Sequence, residues 1–320
     1  MKKTKWTIVA ATLCAVAVWF SGCGAQGDKP ETSTDPISTT AETTVAPASA
    51  FPVTITDKFG EEIVIEHAPS KVICFSPELV EIMYAIGAGD ALYGRAGTCD
   101  YPEAALSVEV MGDLFNLNVE SIVAAAPDLV LLSSMSNQES VKSLQDKGLT
   151  VLALDADSYF DGVYDYIEGV GLVFGKVAEA AALADQMKAD LLEITDLVKD
   201  AEKPRAYFAV GVGDFDSTAT GDTYLSQIME MAGAVNVAKD GTMWMYSLEQ
   251  LLLDDPDIIL YGEMSSSEEV LKTGAGYKDL RAVTEGNIFA INDDIYYRQG
   301  PRLVDAVREL AEIFYPELFV

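Results

Sequence analysis

The stretch Asn118–Leu132, NVESIVAAAPDLVLL, decides the fold, because it recurs 129 residues later as Ser247–Tyr261, SLEQLLLDDPDIILY. Each copy begins with a residue that caps helices, carries a glutamate two positions on, and continues as a short apolar helix. A Pro-Asp break then leads into a continuous apolar run, which is typical of a parallel strand covered on both faces. The duplication predicts two related α/β lobes in one chain.

Strand and helix patterns alternate along the rest of the folded body. The predicted strands are 71–75, 91–95, 128–133, 150–155, 205–210, 257–261 and 287–291, and the predicted helices are 77–86, 119–126, 138–147, 222–232, 248–253 and 301–314. This alternation predicts an α/β fold with two Rossmann-like lobes. Open α/β sheets bind ligands at the carboxyl ends of their strands, so we expect a ligand cleft between the lobes.

One long helical pattern separates the two lobes. From Lys176 to Lys199 the chain has no glycine or proline, apolar residues recur every three or four positions, and Pro204 ends the pattern. We therefore predict an N-terminal lobe at 51–170, a bridging helix at 171–203 and a C-terminal lobe at 204–320. A single rigid helix between the lobes leaves little hinge freedom.

The first fifty residues have the pattern of a secretory signal followed by a flexible tether. Lysines at positions 2, 3 and 5 precede an uncharged, mostly apolar run that ends at Phe20, and Ser-Gly-Cys follows. The run is too short to span a bilayer and suits a secretory signal. We predict a lipoprotein signal peptide at 1–22, acylation of Cys23, and a disordered Thr/Ser/Pro/Ala tether at 23–50. An ordinary signal peptide cut elsewhere, or an uncleaved anchor, is the alternative.

Charge and composition exclude several function classes. The chain has 51 acidic and 21 basic residues, a formal charge of −30, and one histidine. With no basic stripe, nucleic-acid binding is excluded. A single histidine, His67, argues against histidine-rich zinc sites and against Ser-His or Cys-His catalysis. No complete dinucleotide fingerprint or P-loop is present, so we expect a binding protein and not an enzyme.

Two cysteines remain in the folded body, Cys74 and Cys99. Outside the cytoplasm they could form a disulfide, or they could remain as two buried thiols. The sequence leaves both open. His67 precedes the first core strand, and we expect it on the surface.

Residues at the ends of the predicted strands are candidates for ligand contact. Pro77 and Glu78 directly follow one strand, and the segment from Thr98 to Tyr101 follows the next. Pro77 also suits the first turn of a helix. These positions form the expected floor of the cleft.

Two aromatic residues occupy matching places in the repeat. Phe115 and Trp244 each precede the glutamate of their copy by five positions. One aromatic from each lobe would face a flat or apolar ligand at the cleft mouth. Packing of each ring under its own loop is the alternative.

The order of these features resembles the substrate-binding proteins of iron-chelate and cobalamin ABC importers over residues 52–316. The segments that carry the resemblance are KVICFSPE at 71–78, GRAGTCDYP at 94–102, GDLFNLNVESIVAAAPDLVL at 112–131 and DIYYRQGPR at 294–302. The resemblance implies capture of a cobalamin-type corrinoid or a ferric siderophore, with the corrinoid favoured. Haem, which needs an axial His, Tyr or Met, is a weaker alternative. We expect no resident cofactor and no metal bound directly by the protein.

The resemblance also assigns roles to individual residues. Asp294, Tyr296 and Arg298, on a predicted loop before the last helix, correspond to cleft residues of corrinoid carriers; an Asp294–Arg298 surface pair is the alternative. Glu120 and Glu249 correspond to the two rim glutamates that dock onto arginines of a two-fold symmetric permease.

Partners and location follow from the same resemblance. We expect a monomer, lipid-anchored outside the cytoplasm, that works with a permease dimer and its cytoplasmic ATPase. A surface-anchored sensor or enzyme on the same two-lobe fold is the rival interpretation.

Overall fold

The computed structural model describes residues 51–156, 158–213, 216–264 and 268–319. The expectations for the signal peptide, Cys23 and the tether lie outside these residues. None of the helices in the described ranges combines the length and the apolar character that a membrane span requires.

The first sheet is entirely parallel and supports the N-terminal half. Its strands are β3 (Val72–Phe75), β4 (Leu92–Arg95), β5 (Glu109–Val110), β8 (Leu129–Leu132) and β9 (Val151–Ala153), in the order β5-β4-β3-β8-β9. Every residue of β3, β8 and β9 is buried, which explains the continuous apolar runs in the sequence. Two antiparallel hairpins accompany the sheet, β1 (Val53–Thr56) with β2 (Glu62–Ile65) and β6 (Gly112–Asp113) with β7 (Asn116–Leu117).

The second sheet supports the C-terminal half. Its strands are β10 (Arg205–Gly211), β11 (Ser217–Thr218), β12 (Val235–Asn236), β13 (Ile258–Gly262) and β14 (Ile288–Ile291). The order is β11-β10-β13-β14, with β12 also paired to β10, and only β11 runs antiparallel to its neighbour. The α/β prediction with parallel sheets is therefore confirmed.

Helices connect the strands and cover the sheets. They are α1 (Pro77–Ala85), α2 (Val119–Ala125), α3 (Gln138–Gln145), α4 (Gly162–Phe174), α5 (Val177–Val198), α6 (Tyr224–Met231), α7 (Leu248–Asp254), α8 (Glu268–Thr273), α9 (Arg281–Glu285), α10 (Asp293–Tyr297) and α11 (Leu303–Phe314). Single 3₁₀ turns lie at Gly89–Ala91, Glu103–Ser107, Tyr277–Asp279 and Pro316–Leu318. Local side-chain chemistry explains where α1 begins. The Ser76 hydroxyl caps the helix by accepting from the Leu79 amide, and Pro77 takes the first helical position.

The long helix α5 contacts both halves of the molecule. It packs against α4 on one side and against α11 on the other. Its close approach to α4 depends on Gly171, where an added Cβ would lie 2.4 Å from the Cβ of Ala180. Helix α4 itself was missing from the sequence prediction, because a glycine at its first position and two inside it weaken the helical signal.

Candidate functional site: the edge where the two sheets meet

The carboxyl edges of the two sheets meet where α1 approaches the segment that follows α10. Gly300 lies so close to α1 that an added Cβ would be 3.7 Å from the Glu78 carbonyl oxygen. Farther along, the Phe160 amide donates to the Gln227 side chain of α6 at 2.8 Å. These contacts bring loops from both halves to one place, which is where an open α/β sheet presents its ligand site.

The helix of each sequence repeat is capped as predicted. Asn118 Oδ1 accepts from the Ser121 amide at 3.1 Å, and Ser247 Oγ accepts from the Gln250 amide at 3.1 Å. Glu120 and Glu249 therefore lie in the first turns of α2 and α7, and both are exposed. Each carboxylate is favoured there by the helix dipole.

The Pro-Asp break of the first repeat ties the helix to the sheet. The Asp128 carboxylate accepts from the Lys71 amide at 2.9 Å, and the Lys71 ammonium donates to the Ala125 carbonyl at the end of α2. The Ser70 hydroxyl and amide also donate to Asp128, and these hydrogen bonds lower its pKa. The lysine thus satisfies a terminal helix carbonyl that has no partner within the helix.

The second repeat builds the same arrangement from different residues. Asp257 accepts from the Arg205 amide at 2.8 Å, and the Arg205 guanidinium donates to the Asp254 carbonyl at the end of α7, also at 2.8 Å. This match between the lobes fixes the orientation of each short helix relative to its sheet. Glu120 and Glu249 are therefore presented in equivalent surroundings.

Glu78 is an acidic residue that directly follows the carboxyl end of β3, where the two sheets meet. It sits in the first turn of α1, partly buried, with the hydroxyls of Ser76 and Ser133 as hydrogen-bond partners. Burial raises the pKa of its carboxyl, and hydrogen bonds from its own backbone amide and from the two serine hydroxyls offset only part of that effect. Glu78 is thus easier to protonate than an exposed glutamate.

A second glutamate of α1 is bound by an arginine from the other half. Arg302 donates to Glu81 through Nε at 2.8 Å and through a terminal nitrogen at 2.5 Å, a bidentate contact. The Glu81 side chain is only 2% exposed. The Arg302 guanidinium also stacks on the Tyr101 ring, with 4.0 Å to the ring centroid.

Arg298 also contacts Glu81 and adds two further carboxylates to this cluster. It lies 3.3 Å from Glu81, 2.9 Å from Asp100 and 2.7 Å from Asp294, and it donates to the Thr98 carbonyl at 3.2 Å. Its side chain is 11% exposed, so the Asp294–Arg298 pair is not a simple surface pair. The cluster joins the first half of the chain to the second through the buried Glu81 carboxylate and two mostly buried arginines, while Asp100 remains exposed.

The structure corrects the prediction for Tyr296. The segment after β14 is the short helix α10, begun by Asn292, and not a loop. Tyr296 is completely buried, packs edge-to-face on Phe208, and donates to Glu309 at 3.2 Å. Its side chain supports the core and is not presented to a ligand in this structure.

The two repeat aromatics lie on loops that are held by side-chain caps. Asp113 accepts from the amides of Phe115 and Asn116, both at 2.9 Å, and leaves the Phe115 ring 78% exposed. Trp244 is partly buried and has a left-handed backbone, with φ of 65°. The Thr220 hydroxyl accepts from its amide at 3.1 Å and holds that conformation. The pair is thus similar in position but unequal in exposure.

Comparisons with known proteins agree with this geometry. A family model described as periplasmic binding protein matches residues 72–295. The chain is 33% identical over 316 residues to YvrC of Bacillus subtilis, named as an ABC transporter substrate-binding lipoprotein, and the match covers 97% of both. The chain belongs to the periplasmic binding protein family. The resemblance inferred from the sequence is thus confirmed.

Two further relatives of this periplasmic binding protein extend the comparison. It is 28% identical to the cobalamin-binding protein of Halobacterium salinarum over 84% of this chain and 75% of that one. The crystal structure of a possible iron-binding (periplasmic solute-binding) protein from Staphylococcus epidermidis matches with a TM-score of 0.71 and 27% identity. That match covers 77% of this chain and 99% of the other.

The structure brings most of the sequence-derived candidates of this periplasmic binding protein to one edge. Pro77, Glu78, Thr98 and Tyr101 follow strands of the first sheet and lie near the arginine cluster from the second half. Ligand contact by these residues, and by Phe115, Trp244, Asp294 and Arg298, remains a prediction.

Sequence reasoning missed Glu81 and Arg302 as partners. Arg302 lies inside the quoted segment DIYYRQGPR, and Glu81 is the one charged residue among the buried positions of α1. A buried carboxylate requires a cation as partner. The glutamate among the apolar positions of this predicted helix was therefore a signal for such a partner.

The structure also places the two cysteines and the histidine of the described residues. Cys74 and Cys99 are free and buried, and burial raises the pKa of the Cys99 thiol to about 12. His67 is exposed, as expected. Within the described ranges, no group of three or more His, Cys, Asp or Glu side chains could hold a metal ion.

Proposed function

We propose that this protein is the extracytoplasmic, lipid-anchored substrate-binding component of an ABC importer, and that it carries a metal chelate of the corrinoid type. The observation that carries the proposal is the matched pair of lobes, whose carboxyl edges meet and whose repeats each place an aromatic residue and an exposed glutamate beside that edge. The names of YvrC and of the cobalamin-binding relative support the importer role and the corrinoid.

The chelate is tested by native mass spectrometry of residues 24–320. Cyanocobalamin, a ferric hydroxamate siderophore and haemin are offered in turn at equal concentrations. We expect a one-to-one complex with cyanocobalamin at the lowest concentration. A stronger haemin complex would replace the corrinoid with haem, and no complex with any probe would contradict the proposal.

Delivery to the permease rests on α2 and α7. Beyond Glu120 and Glu249, each helix presents a half-exposed aliphatic residue three positions later, Val123 at 37% and Leu252 at 40% exposure. Residues three apart share one helix face, so each lobe offers a carboxylate beside an apolar side chain. A pseudo-symmetric pair of such faces suits a two-fold symmetric partner that carries cations and apolar groups at its own rim.

The docking role is tested with the double variant Glu120→Ala/Glu249→Ala. Chelate binding by the purified protein should be unchanged, whereas uptake and co-purification with the permease should be lost. Glu139→Ala is the matched control, because Glu139 is also exposed in the first turn of an Asn-capped helix but lies outside the repeat. Normal uptake by the folded double variant, or loss of chelate binding with it, would refute the docking role.

A further inference from the structure

Four methionines of the described structure are strongly exposed, and all four lie outside the helices and strands. Met135, Met243, Met245 and Met264 are 68%, 76%, 70% and 78% exposed. By contrast, the methionines within helices α1, α5 and α6 include three that are buried, at positions 83, 187 and 229. Single exposed apolar side chains are common on protein surfaces, so the positions of these four residues decide whether they mark a binding surface.

Met135 and Met264 are equivalent residues of the two lobes. They are separated by the same 129 positions as the sequence repeat, and each follows the carboxyl end of an interior strand of its sheet, β8 or β13. Carboxyl ends of the strands are the edges that meet in this structure, so the two thioethers come from opposite lobes to the same edge.

The backbone holds both methionines in place while their side chains stay free. The Met135 amide donates to Ser133 Oγ at 3.3 Å, and Lys58 donates to the carbonyl of Ser136 at 3.0 Å from the other side. The Met264 amide donates to the buried Asp293 carboxylate at 2.7 Å. These hydrogen bonds fix the backbone at both positions, and a flexible thioether on a fixed backbone can adapt to an irregular ligand surface.

Met243 lies on a different loop, whose backbone is strained. Met243 and Trp244 are consecutive non-glycine residues with left-handed φ of 55° and 65°. Asp222 accepts from the Met243 amide at 2.9 Å and, with the cap on Trp244, maintains this conformation. Such strain persists where the surroundings over-determine it, and it concentrates at ligand sites.

We infer that Met135 and Met264 contact opposite sides of the bound ligand, and that Met243 and Met245 extend this thioether surface. The ligand class that fits is a metal chelate with a broad conjugated macrocycle, because polarizable sulfur packs well on extended π systems and adapts to irregular outlines. A hydroxamate siderophore offers no such face. The inference rests on the proposed function and adds to it the residues that select the ligand.

The test compares Met135→Ala/Met264→Ala with Met135→Leu/Met264→Leu in titrations with cyanocobalamin and haemin. Contacts between sulfur and π systems imply about a 2- to 12-fold loss of affinity for each alanine substitution. Leucine keeps the apolar volume, so we expect its loss to be smaller. Leu192→Ala is the control, since Leu192 is 61% exposed on α5 and lies away from the strand ends.

A second measurement uses the unaltered protein. Peroxide converts exposed methionines to sulfoxides, and peptide mass spectrometry counts them residue by residue. The bound macrocycle should slow oxidation of Met135 and Met264. If a macrocycle binds but the alanine variant binds equally well and neither sulfur is protected, the inference is wrong and the proposed function stands. If neither macrocycle binds the unaltered protein, the proposed ligand fails, and the inference fails with it.

Discussion

Replacing Glu81 with glutamine should destabilise the protein more than any substitution of an exposed glutamate. The change removes the negative charge that faces Arg302 and Arg298, whose side chains are 16% and 11% exposed. Breaking a buried ion pair from one side costs about 3–5 kcal/mol, because the remaining charges stay buried without full compensation. Arg298 keeps Asp100 and Asp294, so Arg302 bears most of the loss.

The expected result is a fall in melting temperature of about 6–20 °C for a body of this size. Urea unfolding gives the free energy directly, and Trp244, the only tryptophan after position 22, reports the transition. Glu168→Gln is the control, since Glu168 is exposed on α4, and it should change the unfolding free energy by less than about 0.5 kcal/mol.

A double-mutant cycle separates the pair from general damage to α1. Glu81→Gln and Arg302→Gln should together cost about 0.5–3 kcal/mol less than the sum of the single changes. Strict additivity, or a Glu81→Gln protein as stable as the control, would show that the cluster does not join the two halves energetically.

Three further predictions address the ligand, the cleft floor and the anchor. Chelate binding should quench Trp244 fluorescence, and Trp244→Ala should weaken binding about tenfold or more, with a smaller effect for Phe115→Ala; unchanged affinity in both would exclude them from the site. Burial raises the pKa of Glu78 above its unfolded value, so the folded state should lose stability as pH rises from about 4 through the folded pKa. The Glu78→Gln variant should not show this loss. If the unfolding free energies of the variant and the unaltered protein change in parallel from pH 4 to 7, the prediction is wrong. Cells labelled with a palmitate analogue should mark the protein but not its Cys23→Ala variant, and equal labelling of both would refute acylation there.

Much of the fold is written in local sequence patterns. The repeat at Asn118 and Ser247 specified two lobes, the helix caps, and the glutamates in the first helical turns. Continuous apolar runs specified parallel strands, since only a strand covered on both faces can bury every side chain. The uninterrupted segment from Lys176 to Lys199 specified the long helix, which the structure places at Val177–Val198.

Other features could not be obtained from local patterns. Helix α4 escaped detection because of its glycines, and only the packed pair of helices shows that one of them, Gly171, is needed for contact with α5. The segment after β14 looked like a loop with a ligand-facing tyrosine. The structure instead makes it a helix whose turn directs Tyr296 into the core.

The sequence by itself determined the two α/β lobes, the long helix that contacts both and the exposed rim glutamates, because periodicity, caps and charge act over a few residues. Only the tertiary structure decided that Arg298 meets Glu81 across 217 residues, and that Tyr296 lies buried in the core. Long-range partners leave no periodic trace in the chain. Buried ion pairs depend on low dielectric surroundings, which exist only once the two halves have packed together.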